Sequence, residues 1–230
     1  MNITYNSFTP ENWDAWLATR PVITPSEVEV DRYKIPGRSG ELLGKYETRG
    51  NAKVTFKLHQ KRNPNNLEKL MTWLRTPGGH LSFSDDTGFY YESLICKANS
   101  YENKDDTYKR IEVEMEVYPF KFRVTPTYNN TTIAAGTTTT LSVDSDTCEP
   151  LYQVTLASGA ESGSFSVNDN TFTAYGSCII DTRRKIAYSG NTAVSVSGDY
   201  DSIKLNYGNN VVITGAGMSL KVNSRDGYIV

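Results

Sequence analysis

The sequence is poor in the side chains that most often carry chemistry. It has two histidines, His59 and His80, and three cysteines, Cys96, Cys148 and Cys178, among 230 residues. An odd cysteine count at wide spacing, with no CxxC pair, excludes a disulfide framework or a thiolate zinc site of the usual kind, so the thiols are expected to be free and mostly buried. HExxH, GxSxG and a Gly-rich phosphate loop followed by Lys are all missing. No apolar run approaches the roughly 18 residues that a membrane span needs, and Met1 to Tyr5 shows neither a basic segment nor the apolar stretch of a signal peptide. A soluble protein made in the cytosol is the expectation. A positive excess is lacking as well: 24 basic residues against 26 acidic ones give a net charge of −2, which disfavours a dedicated nucleic-acid binder.

What is present reads as a globular β protein. Apolar residues at 38% and charged residues at 22% are close to globular averages, and the length suits one large domain or two ordinary ones. The composition changes near residue 125: 18 Lys/Arg and 17 Asp/Glu lie before it, against 6 and 9 after it. All three tryptophans, Trp13, Trp16 and Trp73, fall in the first part, and 10 of 17 glycines in the second. Such a shift marks a domain boundary. The reading is an N-terminal domain over 1–125, a linker over 126–137 where Pro126, Asn129, Asn130 and Gly136 interrupt any periodicity, and a C-terminal domain over 138–230 that opens on a strand at Thr138 to Val143.

In the first part, Ile111, Val113, Met115 and Val117 alternate with Arg110, Glu112, Glu114 and Glu116, the period of a strand with one buried and one wet face. Val28/Val30, Val54/Phe56/Leu58, His80 to Ser84 and Tyr90 to Lys97 supply further strands of an antiparallel sheet. Leu67, Leu70, Met71 and Leu74 follow a helical period between Asn63-Pro64 and Pro77-Gly78-Gly79, which predicts one helix on that sheet. A second helix from Thr9-Pro10 to Thr19 is a weaker candidate, with an extended arm as the alternative. The second part holds short alternating runs, among them Tyr152/Val154/Leu156, Phe165/Val167, Val194/Val196 and Ile203/Leu205, separated by Gly, Asn, Asp and Ser at sandwich spacing.

The candidate sites are few. His59 and His80 both lie on strand patterns and read as ordinary strand residues. The pairs Asp85-Asp86, Asp105-Asp106, Asp144/Asp146 and Asp199/Asp201 sit in turns, where aspartate commonly hydrogen-bonds the local backbone rather than holding a cation. Arg183-Arg184-Lys185 offers either an anion site or a solvated corner. No catalytic residue, metal ligand or cofactor is assigned. Fifteen tyrosines, including Tyr90, Tyr91, Tyr175, Tyr188 and Tyr200, favour contact surfaces over catalysis.

The stretch Ile35-Pro36-Gly37-Arg38-Ser39-Gly40-Glu41-Leu42 has the chemistry of a type II turn, with Pro36 at the second position and Gly37 at the third, followed by a second flexible point at Gly40. It resembles the IPGRDG-like segment of siphophage distal tail proteins, with Ser39 where an Asp is frequent. The likeness continues through Leu70-Met71-Thr72-Trp73-Leu74, Leu81-Ser82-Phe83-Ser84-Asp85, Tyr90-Tyr91 and the strand ending in Val117-Tyr118-Pro119-Phe120-Lys121-Phe122. Farther on, Gly163 to Tyr175, Cys178-Ile179-Ile180-Asp181, Ile186-Ala187-Tyr188 and Asn209 to Ile213 look like the galectin-like sandwich that such proteins carry at their C-terminus. The resemblance implies a mainly β chain, with an N-terminal β-sheet domain carrying one packed helix and then a galectin-like β-sandwich. It implies a structural subunit of the virion tail tip or baseplate, not an enzyme. That subunit would be a homo-hexameric hub ring contacting the major tail-tube protein on one side and the tail-associated hub or fibre protein on the other, with a receptor-binding protein as a further partner. Ile35, Pro36, Gly37, Arg38 and Gly40 are the interface or turn hallmark it points to. The alternative function is a host-surface carbohydrate-binding module, an adhesin.

Overall fold

The computed structural model describes all residues except 38, 62 and 104–106; the side chains of 31, 42, 43, 45–48 and 99–103 are also left undescribed. The chain divides into two compact units, one of residues 1–122 with 229–230 and the other of residues 123–228.

The first unit contains β1 (Ile3–Tyr5), a 3-10 turn (Pro10–Trp13), β2 (Ala15–Leu17), β3 (Val22–Thr24), β4 (Val28–Lys34), β5 (Glu41–Arg49), β6 (Ala52–Lys61), α1 (Pro64–Leu74), β7 (His80–Phe83), β8 (Phe89–Asn103) and β9 (Tyr108–Arg123). Its main sheet runs β1-β7-β8-β9-β6, and β2 and β3 both add to β6. The alternation on β6 and β9 does what the sequence pattern asks. Val54, Phe56, Leu58, Ile111, Val113, Met115 and Val117 are buried in one core with Leu70 and Leu74 of α1. On the wet face, Lys57 stands opposite Glu112 and their side chains meet at 2.7 Å. Lys97 and Glu116 pair at 3.0 Å. Helix α1 starts where expected: the Asn63 side chain accepts a hydrogen bond from the Asn66 backbone N–H, Pro64 occupies the first turn, and Leu70, Trp73 and Leu74 turn inward.

The segment from Thr9 to Thr19 is not a helix. A single 3-10 turn ends at Asp14, whose φ of 56° is left-handed, and Ala15 to Leu17 then pair with Leu58 to Gln60 as an edge strand. Trp13, Trp16 and Leu17 lie at a spacing that a helix would bring to one side, and the open edge of β6 overrides that local pattern.

The second unit is a β-sandwich. Its strands are β10 (Thr131–Ile133), β11 (Thr138–Val143), β12 (Thr147–Cys148), β13 (Leu151–Leu156), β14 (Gly163–Val167), β15 (Asn170–Ala174), β16 (Cys178–Asp181), β17 (Ile186–Ser189), β18 (Thr192–Ala193), β19 (Val196–Ser197), β20 (Gly208–Thr214), β21 (Met218–Asn223) and β22 (Asp226–Ile229). One sheet has the order β10-β21-β13-β16-β17-β18 and the other β11-β20-β14-β15-β19. Their inner faces share a core in which Tyr152 of one sheet meets Phe165 of the other, ring centroids 5.1 Å apart. Burying the aromatics of both sheets together accounts for the alternation seen along each strand.

Two expectations change here. Residues 126–137 are not without regular structure, because Thr131 to Ile133 pairs with Leu220 to Val222 and buries Ile133. A single buried apolar residue among Thr, Asn and Gly leaves too little periodicity to announce a strand. Ile203 and Leu205 are buried but belong to a turn that touches β12 only through a bridge from Leu205 to Cys148. Their two-residue spacing satisfied the core, not a ladder.

Candidate assembly site

The hallmark segment caps a hairpin. β4 and β5 pair with each other from Val28↔Arg49 to Lys34↔Glu41, interrupted by an irregularity between Val28 and Val30, and form a two-stranded sheet of their own. Ile35, Pro36, Gly37 and Gly40 lie in the connection between the strands; Arg38 lies outside the described residues. Gly37 has φ +81°, which the third position of a type II turn requires and which a side chain would resist, and Gly40 has φ +90°. Across the hairpin, Arg32 approaches Glu41 at 3.6 Å. Four large apolar side chains of the hairpin stand in solvent among its charges: Val28, Val30, Tyr33 and Ile35 are 43%, 41%, 51% and 41% exposed. A two-stranded hairpin is marginally stable in water, and apolar residues on an edge strand invite pairing with another chain.

The other sequence candidates are structural. His59 lies on the outer face of β6 and stacks on Tyr108, centroids 5.2 Å apart, beside Trp16. His80 stacks on Tyr90 at 4.2 Å. Burial pushes the Cys96 and Cys148 thiols up to about 12, for Cys148 with help from the nearby Asp226, so both stay protonated and weakly nucleophilic at neutral pH. Among the acidic pairs, Asp85 meets Arg20 at 2.8 Å and Asp86 meets Lys121 at 2.9 Å. Asp144 accepts hydrogen bonds from Tyr228 and Arg123. Asp199 accepts from the Asp201 backbone N–H, the local turn bond expected. Asp105 and Asp106 lie outside the described residues.

The basic corner is tied into ion pairs, while Arg184 and Lys185 stay 75% and 55% exposed. Lys185 meets Asp201 at 2.6 Å, Lys204 bridges Asp201 at 3.0 Å and Glu149 at 2.8 Å, and Arg183 approaches Glu149 at 3.8 Å. Beside this network Arg225 meets Asp181 at 2.9 Å, with side chains 18% and 6% exposed. Burial alone would raise the Asp181 carboxyl, but hydrogen bonds from Arg225 and from the backbone N–H groups of Arg184 and Arg183 hold it below its ordinary value. Burial would likewise lower Lys204, and its bonds to Glu149 and Asp201 reverse that. Sequence reading missed Glu149, Lys204 and Arg225, because partners dozens of residues apart have no shared spacing. The named tyrosines of the second unit have separate surroundings: Tyr188 lines a groove of about 210 Å³ with Gln153, Thr155 and Ile179, Tyr200 packs edge-on against Phe172, and Tyr175 stands exposed after β15.

No family model and no curated protein matches the sequence. Among solved structures, the SPP1 Dit protein (gp 19.1), described as a paradigm of hub adsorption apparatus in phages infecting Gram-positive bacteria, superposes with a TM-score of 0.69 at 12% identity, covering 99% of both chains. The chain has the fold of a phage Dit protein. At so low an identity the Dit likeness rests on topology rather than on side chains. It nonetheless spans both units from end to end.

Proposed function

We propose that this chain is a Dit-type structural subunit of a phage tail tip, without enzymatic activity. The end-to-end likeness of fold to SPP1 Dit, a hub adsorption protein, carries this reading. In the virion the first unit forms a homo-hexameric ring that joins the tail tube to the tail-associated hub or fibre protein. The second unit, a galectin-like sandwich, stands at its periphery as a platform to which a receptor-binding protein attaches. The β4–β5 hairpin supports ring formation, since a free two-stranded sheet bearing Val28, Val30 and Ile35 gains most by lying against another subunit. The balanced charge ladders of the wet face, and thiols held protonated, support a scaffold rather than a catalyst.

Light scattering on wild-type protein and on a Val28→Asp/Val30→Asp double variant tests the reading. Wild type, alone or with its tail-hub neighbour, is expected to run as a hexamer-sized species and the variant as a folded monomer. A monomer in every condition for the wild type contradicts the ring.

A further inference from the structure

The first unit carries a second feature, apart from the β4–β5 hairpin: an open groove of about 710 Å³ between the N-terminal segment and the outer side of α1. That volume lies in the range of sites for small ligands. One wall is aromatic. Trp13 and Trp73 stand with centroids 4.7 Å apart and Phe8 lies 5.7 Å from Trp13, with Phe8 51% exposed. The facing wall is polar, built from Asn65, Glu68 and Thr72 on one side of α1, with Lys69 beside them.

The aromatic wall is held in place at a conformational cost. Asn6 and Ser7, which turn the chain back so that Phe8 pairs with Tyr5, have φ of 49° and 67°, and Asp14, directly after Trp13, has φ 56°. Successive positive φ values suit a two-residue hairpin turn, but Ser7 carries a Cβ where glycine is usual. The turn is pinned: Asn6 N–H donates to the His80 carbonyl at 3.1 Å and the Asn6 side chain accepts from His80 N–H at 3.2 Å. Gly79 makes this possible, because a Cβ there would sit 2.2 Å from Asn6 Oδ1. Left-handed non-glycine residues on both sides of an exposed Phe8 and a half-buried Trp13 are the pattern of a preorganised contact site.

The chemistry of the two walls selects the occupant. Glu68 and Lys69 make no ion pair among the described residues, so the groove offers one charge of each sign and no net attraction for a polyanion. A wholly apolar segment would strip water from Glu68 and Asn65 without replacing it. An uncharged sugar presents a C–H face to rings and hydroxyls to amide, carboxylate, ammonium and hydroxyl groups, and satisfies both walls. We propose that this groove, with Phe8 and Trp13 as the platform and Asn65, Glu68 and Thr72 as the hydroxyl partners, binds an uncharged oligosaccharide. The site is independent of the ring reading and can fail without it.

The test is a titration of the full chain, in whatever assembly it adopts, with an array of uncharged microbial oligosaccharides that includes chitotetraose and maltotetraose, followed by tryptophan fluorescence and calorimetry. At least one sugar is expected to saturate. Phe8→Ala and Glu68→Gln should each weaken that sugar about tenfold, the loss typical of a central contact, with scattering mass unchanged. Tyr188→Phe, in the second unit, should leave binding unaltered. Glu68 is exposed, so its variant keeps the test valid if Phe8→Ala unfolds. Absence of saturable binding across the array, binding unaffected by Glu68→Gln, or capture of a proline-rich peptide in place of any sugar would overturn the proposal.

Discussion

Trp73 and Tyr5 hold the C-terminal end of α1 to β1 through two hydrogen bonds: Trp73 Nε1 donates to the Tyr5 carbonyl at 2.8 Å, and the Tyr5 hydroxyl donates to the Thr76 carbonyl just past the helix. The two rings meet edge-on at 5.9 Å. The same contact anchors the inner side of the aromatic groove. Trp73→Phe removes one of the two hydrogen bonds on that carbonyl, the other coming from Phe8 N–H, and leaves a partly empty ring site. A loss of about 1–3 kcal/mol is expected in denaturant melts. Trp16→Phe, at a position 43% exposed, should change stability by less than about 0.5 kcal/mol.

The register of β9 sets a sharper contrast. Met115 is fully buried while its neighbour Glu114 faces outward toward Lys53 at 4.0 Å. Met115→Asp places a carboxylate in the core with no partner and is expected to cost about 4 kcal/mol or more, enough to unfold the first unit. Glu114→Gln loses only a half-exposed ion pair, worth less than about 1 kcal/mol. Equal melting temperatures for the two variants would mean the strand faces are reversed.

The Asp181–Arg225 pair makes the second unit sensitive to acid. Its folded-state carboxyl sits below the ordinary aspartate value near 3.9, so its contribution is complete above that value and is lost as pH falls through the lower, folded-state value. Asp181→Asn should therefore flatten the stability profile below about pH 4 and cost about 3 kcal/mol at neutral pH, because Arg225 is left largely buried without its charge partner. An unchanged acid profile in the variant would contradict the assignment.

Much of the architecture was legible in the sequence where one physical signal acted alone. The alternation from Ile111 to Val117 and the helical period from Leu67 to Leu74 were each decided by a single buried face, and the structure puts those faces in one core. Signals failed where tertiary contacts overrode local preference. Ala15 to Leu17 became a strand because β6 offered a free edge, and Ile203 and Leu205 were buried through a turn rather than a ladder. The left-handed glycine of the hairpin connection was legible from the Pro36-Gly37 pair, since a positive φ suits a residue without Cβ. Its exposure was not, because that depends on which strands the rest of the sheet leaves unpaired. The groove beside α1 was hidden too, as it joins Phe8 and Trp13 to residues more than fifty positions away.

Negative-stain electron microscopy of the purified full chain, alone and mixed with the proposed tail-hub partner, is the direct test of the proposed ring. Ring-shaped particles whose class averages show six-fold symmetry are expected, lost in the Val28→Asp/Val30→Asp variant while circular dichroism still reports a folded β protein. Isolated monomeric particles in both samples, at concentrations where tail proteins assemble, would contradict it.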